Sequence, residues 1–234
     1  MTGPSTNRPL VSLIVPIWNE EAALPTFLAQ FTPNENYELI FADGGSTDKS
    51  TTLLASYPWV KVISSLKGRA HQMNTAAAVA RGDWLFFIHV DSQLPKYWWQ
   101  AVNEVFGSPY QVACFRLQFD VSHPLLNLAA YGSRWRSLLF RGGDQGLLIT
   151  KNTFMDLGGY DPRFSVCEDL DIFQRIQRKY RWKQLSQSII TSARRFQKNG
   201  VIYTLFHFRI LHFLHYCYPS PDLLYRYYKR WIRS

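Results

Sequence analysis

An α/β fold built on a mostly parallel sheet is what this sequence predicts, and two observations predict it. Short β-branched apolar runs alternate with helical patterns through the first half, and an acid stands at the end of two of those runs. In order, Leu10–Ile17, Tyr37–Ala42, Val60–Ser64 and Trp84–Val90 read as buried strands, each a short apolar run bounded by polar or Gly signals. Between them Glu20–Phe31, Thr47–Tyr57 and Arg69–Arg81 read as helices. Ser46 offers a capping oxygen, Asp48 first-turn charge, and Gly82 a stop. A β-α-β-α-β-α-β order implies parallel strands with right-handed crossovers, whose ligands sit at the carboxyl ends of the strands. Further on, Val112–Phe119 and Gly146–Thr150 read as strands, and Pro124–Leu139, Glu168–Tyr180 and Val201–Cys217 as helices.

Composition narrows the class. The 234 residues are 47% hydrophobic and 18% charged, which excludes a disordered chain or a repetitive fibre. The net charge of +9 is unevenly placed: residues 1–193 carry +2, whereas residues 194–234 carry +7 and 11 of the 37 aromatic side chains. The expected division is a catalytic domain over 1–193 and a basic, aromatic helical extension over 194–234. Within the domain, about 10–92 reads as the nucleotide part and about 93–193 as the acceptor part. Cys114, Cys167 and Cys217 form neither a disulfide framework nor a zinc motif, so a reducing, cytoplasmic setting is expected. The polar stretch Met1–Pro9 does not read as a signal peptide, and no run is long enough to span a bilayer.

Asp43 ends the second strand in Asp-Gly-Gly-Ser-Thr-Asp, and Asp91 follows the fourth in His89-Val90-Asp91, so both face one crevice. Each alone also reads as a cap of the next helix. Together, with glycines that let backbone approach a ligand, they point to a nucleotide site. There is no G-x-G-x-x-G after the first strand and no Walker loop, which argues against nicotinamide or P-loop chemistry.

The ordered set Val15-Pro16-Ile17-Trp18-Asn19-Glu20-Glu21, Asp43–Asp48, Gly68-Arg69-Ala70 with Asn74, Asp91 and Glu168-Asp169 resembles the motifs of family-2 glycosyltransferases with the GT-A fold. It is most similar to a small bacterial subgroup reading G-R-A, H-x-D, G-D-Q-G, E-D and S-A-R-R. The resemblance covers roughly residues 10–193. It implies nucleotide contacts for Pro16, Trp18, Glu20, Asp43 and Arg69, with Trp18 stacking the base and Asp43 accepting a base N–H. It implies Asp91 on a divalent Mn2+ or Mg2+ that bridges the donor phosphates, and Asp169 as the base that takes the acceptor proton in an inverting displacement. Two departures stand out: Gly44 replaces the second acid of D-D-G-S, and His89 the first of D-x-D. His89 as a softer metal ligand and His89 as a core histidine both stay open. Arg194 or Arg195, in Ser192-Ala193-Arg194-Arg195-Phe196, is assigned to the diphosphate, a solvated basic turn being the alternative. Gly142–Gly146 is either a turn near the acceptor or a structural loop. Cys167 reads as a buried thiol.

On the helix from Val201, Ile202, Tyr203, Phe206, Ile210, Phe213, Leu214 and Cys217 form an apolar stripe that is expected to pack on the domain. Binding to anionic lipid, helped by Arg226, Lys229, Arg230, Trp231 and Arg233, is a second role. His207, His212 and His215 are too poorly spaced for one metal. The expected protein is therefore a transferase using a nucleotide sugar, a UDP-sugar in the first instance, on a lipid or glycan acceptor at the cytoplasmic face of a membrane. A non-catalytic nucleotide-sugar binder is the alternative. A nucleic-acid partner is not expected, because the acids of the first domain oppose it.

Overall fold

A computed structural model describes residues 10–232 except 136, 138 and 139. Met1–Pro9 and Arg233 lie outside the described residues, and the helix expected over Pro124–Leu139 is shorter, ending at Gly132 where Ser133 turns its hydroxyl to the Ala130 carbonyl. Seven strands form one sheet: β1 Val11–Ile17, β2 Tyr37–Asp43, β3 Val60–Ser64, β4 Trp84–Phe87, β5 Val112–Phe119, β6 Leu147–Thr150 and β7 Trp182–Thr191. Their order is β3-β2-β1-β4-β6-β5-β7, with β3, β2, β1 and β4 parallel and β6 antiparallel to both neighbours. The expected α/β sheet is therefore present, with one reversed strand.

Alternation along the strands splits the core in two. Leu13, Val15 and Ile17 point to one face, where they meet helices α1 Leu24–Leu28, α2 Ser50–Ala55 and α4 Trp98–Asn103 through Phe27, Leu54 and Trp98. Ile14, Ile40 and Phe87 point to the other, covered by α3 Arg69–Val79, α6 Lys151–Asp156 and α7 Glu168–Lys179 through Met73, Phe154 and Phe173. A third cluster joins β5 to α5 Pro124–Gly132, α8 Arg194–Asn199 and α9 Val201–Cys217 through Phe119, Leu126, Phe196 and Leu205. Leu211 of α9 and Leu224 of α10 Pro221–Trp231 then close over Phe164. Among the described residues, no helix is long and apolar enough to cross a membrane.

Several local expectations are corrected. The helix expected from Glu20 begins at Leu24, with Pro25 in its first turn, where a missing N–H costs nothing. The helix expected from Thr47 begins at Ser50, because Ser46 uses its hydroxyl on Asp43 rather than as a cap. β4 ends at Phe87, three residues short of Val90. Helix α3 ends at Val79, and Gly82 serves close approach instead: its N–H donates to Ser12 Oγ at 2.9 Å, and a Cβ there would lie 2.6 Å from the Ser12 nitrogen.

The largest correction concerns α9. Its buried residues are Thr204, His207, Leu211 and His215, while Ile202, Phe206, Phe213 and Cys217 of the expected packing stripe are exposed. His207 turns inward with partners from α10, and Thr204 with one from its own helix. Tyr227 hydroxyl lies 2.6 Å from His207 Nδ1, Trp231 stacks on the same ring, and Thr204 donates to the Gly200 carbonyl at 2.7 Å.

Candidate active site

The crevice opens at the carboxyl ends of β1 and β2, where two loops are zipped together. Asn19 adopts a left-handed conformation (φ 56°), which Asn tolerates better than most residues. Its N–H donates to Ser46 Oγ at 2.9 Å and its Oδ1 accepts the Thr47 N–H at 2.7 Å. Glu20 N–H donates to Ser50 Oγ at 2.8 Å, and Lys49 N–H to Glu21 Oε2 at 2.8 Å. Pro16 is tolerated in a central strand because β4 pairs only as far as Ile14, so β1 has one ladder neighbour there. Asp43 is buried, its carboxylate accepting from Gly45 N–H, Ser46 N–H and Ser46 Oγ at 3.3, 3.0 and 2.6 Å. Trp18 stays 45% exposed, with Lys67 Nζ 3.2 Å from its ring centre.

Gln72 was not singled out by sequence reasoning, and it holds this end of the sheet. Its buried amide donates to the carbonyls of Ile17 and Ala42 at 2.7 and 2.8 Å. A Cβ on Gly44 would lie 3.1 Å from that amide, so a side chain there would have to push the buried Gln72 aside by a few tenths of an ångström. Asn74 also proves structural, bonding both the N–H and the carbonyl of Tyr160.

Beyond β4 the charged groups converge. Asp169, in the first turn of α7, accepts the Gly143 N–H on Oδ2 and the Leu170 N–H on Oδ1, the latter at 2.8 Å. Gly143 begins a short 3-10 turn, Gly143–Gln145, braced by the Gln145 side chain on Arg141 and on the Phe140 carbonyl. The Gly-Asp-Gln-Gly segment thus braces itself and also holds Asp169. His89 Nε2 lies 2.6 Å from where a Cβ on Gly143 would stand, so the imidazole packs on this turn. Burial, followed by the charge of Arg69, lowers the His89 pKa and keeps the ring neutral. Arg69 Nη1 lies 3.8 Å from Glu168 Oε1. Burial works against the Arg69 charge, but Glu168, Asp144, Asp169 and Asp91 outweigh it and raise its pKa. Glu20 is raised by burial and then by Asp91, with Arg194 and Arg69 opposing, which ties the β1 loop to this cluster. Asp91 faces Arg194 Nη2 at 3.4 Å. Cys167, before α7 at φ 64°, has its thiol pushed far above the usual range by burial, so it stays protonated.

Glu168 is buried, and burial together with the charge of Asp169 pushes it up to about 7 against the pull of Arg69. A raised carboxyl pKa stabilises the fold fully below the unfolded value near 4.5, and that contribution is lost as pH rises through about 7. Glu168→Gln removes the titration, and Arg69, half exposed, tolerates the loss of its partner. Urea unfolding is expected to show the variant gaining on the parent by on the order of 3 kcal/mol between pH 4.5 and 8. Parallel pH curves for the two proteins would contradict this.

The fit of a divalent ion follows from the donor set. Among the described residues, no group of three His, Cys, Asp or Glu side chains is placed to hold a metal ion. The chain alone does not build a closed cage. Asp91, a single partly exposed carboxylate beside the crevice, suits an ion whose remaining ligands are phosphate oxygens and water.

Comparison with known proteins gives a consistent result. Residues 12–159 match the model of Glycosyl transferase family 2. Over 103 residues the chain is 34% identical to an undecaprenyl-phosphate 4-deoxy-4-formamido-L-arabinose transferase of Aeromonas hydrophila subsp. hydrophila, covering 39% of this chain and 32% of that protein. The protein of the same description from Yersinia pestis is 31% identical over 105 residues, with the same coverage. The match thus spans about a third of the length of these curated relatives. A solved mannosyltransferase, PcManGT from Pyrobaculum calidifontis with GDP-Man and Mn2+, superposes with a TM-score of 0.66 at 19% identity, covering 95% of this chain and 70% of that one. S. aureus TarS 1-349 with UDP gives 0.61 at 17% identity, covering 87% and 65%. At these identities the likeness is one of fold, and the fold is the expected GT-A arrangement.

Proposed function

The chain belongs to glycosyl transferase family 2, and we propose that it moves a sugar from a nucleoside-diphosphate sugar, a UDP-sugar in the first instance, to a hydroxyl of a lipid-borne acceptor with inversion. The observation that carries this reading is the convergence of Asp169, Arg69, Asp91 and Arg194 beside a crevice whose other wall is the Trp18–Asp43 end of β1 and β2. In this reading the exposed Trp18 ring stacks on the base, with Pro16 and Glu20 shaping the loop beneath it. Asp43, held in place by Gly45 and Ser46, accepts a base N–H in competition with the long bonds at 3.2 and 3.3 Å on its Oδ2.

Asp91 would be the carboxylate that holds a Mn2+ or Mg2+, with the neutral imidazole of His89 as a softer second donor. Such an ion supplies charge neutralisation on the leaving diphosphate. Arg194 then exchanges Asp91 for a phosphate oxygen, and Arg69 lies beside the same group. Asp169, held by the two N–H groups of Gly143 and Leu170, takes the acceptor proton as the acceptor oxygen attacks. One base and one displacement invert the anomeric carbon. The lipid-borne acceptor draws its support from the undecaprenyl-phosphate transferases among the relatives. In this reading the enzyme works at an anionic membrane surface on the cytoplasmic side, with residues 1–193 as the catalytic unit and 194–234 as an extension docked on it.

Release of nucleoside diphosphate from UDP-, GDP- and dTDP-sugars with Mn2+ or Mg2+ tests the reading. Metal-stimulated release from a UDP-sugar is the expected result. UDP binding with no release from any donor would reduce the protein to a nucleotide-sugar binder.

A further inference from the structure

The outward stripe of α9 repeats at intervals of four and three residues: Ile202, Phe206, Arg209, Phe213 and Tyr216. Phe206 and Phe213 are 60% and 64% exposed. The stripe does not end at the helix. Arg209 lies over the Phe140 ring at 4.7 Å, Phe140 packs edge-on against Trp135 at 5.5 Å, and Trp135 against Tyr131 of α5 at 6.1 Å. Gly132 makes this path possible, because a Cβ there would lie 2.2 Å from the Phe140 ring. Arg134 in turn covers Tyr131 at 4.6 Å. The result is an aromatic band across two helices that pack on one core cluster, with Trp135 58% exposed.

We propose that Tyr131, Trp135, Phe140, Phe206 and Phe213, with Arg209 among them, form a face that rests on an anionic lipid bilayer and delivers the acceptor to the turn that holds Asp169. Delivery to Asp169 rests on the function proposed above, whereas docking on lipid does not. Three features select this occupant. Exposed aromatic rings interleaved with arginines suit the boundary between head groups and acyl chains, where ring edges and guanidinium heads stay wet while the rest is buried. Arg134 and Arg209 lie on the rings of the band itself, and the segment 194–234 that carries part of it has a net charge of +7, a field that attracts anionic lipid. The band also leads into the site: Phe140 stands three residues before Gly143, and the Arg141 carbonyl between them is 3.1 Å from His212 Nε2 on α9. An acceptor lying in the membrane beneath the band therefore reaches the crevice without leaving the bilayer.

Flotation of the full chain with vesicles of phosphatidylcholine, alone or mixed with phosphatidylglycerol, tests the face without any donor. The wild-type chain is expected to float with the mixed vesicles and not with phosphatidylcholine alone. The Trp135→Ser, Phe206→Ser, Phe213→Ser triple variant is expected to lose roughly tenfold or more of that binding while keeping its UDP affinity and far-UV circular dichroism. Should the triple variant misfold, the single Phe213→Glu, whose side chain points to solvent, is expected to show a smaller loss in the same direction. A wild-type chain that stays at the bottom of the gradient, or variants that float as well as wild type, would overturn the proposal. So would a stable dimer in sedimentation that the triple variant breaks, since the band would then be an interface between copies. Flotation that depends on the band, in a protein that turns over no donor, would leave the lipid face standing and remove the transferase reading.

Discussion

Asp169→Asn is expected to lower sugar transfer by about 10²–10⁴-fold, the usual contribution of a positioned base, while UDP affinity changes little. The nucleotide is proposed to sit at the β1–β2 end of the crevice, where Asp169 takes no part. The geometry also predicts a structural cost. Asp169 satisfies the Gly143 N–H with one oxygen and the Leu170 N–H with the other. An asparagine has only one acceptor oxygen, so one of these N–H groups meets an amide NH2. A stability loss of about 1–3 kcal/mol follows from the unsatisfied donor. Radiolabel transfer, calorimetric UDP binding and urea unfolding on the same preparations separate the two effects. The loss in turnover also reports on the acceptor. A hydroxyl must give up a proton, whereas a phosphate oxygen is already an anion and needs no base. A variant keeping more than about a tenth of the activity, against the usual contribution of a base, would take Asp169 out of the reaction and favour the phosphate acceptor of the relatives.

Asp91→Asn is expected to act on the donor instead. Asp91 is paired with Arg194 at 3.4 Å, so donor binding exchanges one partner for another: the carboxylate turns to the ion and the guanidinium to the diphosphate. Without that carboxylate, calorimetry should show UDP binding with Mn2+ falling to the level seen without it. Turnover should drop by about 10²–10³-fold, as on removal of one preorganised electrostatic contact. Metal-free affinity should hold or rise slightly, because Arg194 is released toward the phosphates. Unchanged metal dependence in this variant would remove Asp91 from the ion.

What the sequence made legible, and what it hid, has a physical pattern. β1, β2 and β4 are buried and carry dense apolar runs, so their positions emerge directly, as does β5 at Val112–Phe119; β3 emerges from its Val60-Lys61-Val62-Ile63 run, but it is a largely exposed edge strand and not the buried one expected. β7 does not: it lies at the sheet edge, its run Lys183-Gln184-Leu185-Ser186-Gln187-Ser188 is mostly polar, and the irregular register opposite Cys114 and Arg116 breaks its alternation. Asp43 and Glu168-Asp169 were findable because they sit at element ends, and Asp91 because it follows the apolar run Trp84–Val90, although β4 itself stops at Phe87. Gln72 was not, since it acts through a buried amide within a helix; Gly143 was marked only as part of the Gly142–Gly146 turn, because its contact with Asp169 runs through a backbone N–H. The orientation of α9 was misread for a related reason. A helical projection separates apolar from polar residues, but Thr204 and His207 are satisfied by groups far along the chain or inside the backbone, which leaves the aromatic face outward.

The most direct test of the central claim is the anomeric configuration of the transferred sugar, read by NMR coupling constants on the product before it equilibrates. A single displacement assisted by Asp169 predicts a configuration opposite to that of the nucleotide-sugar donor. Retention would require a second displacement or an internal return, and would contradict the assignment of Asp169 as the base.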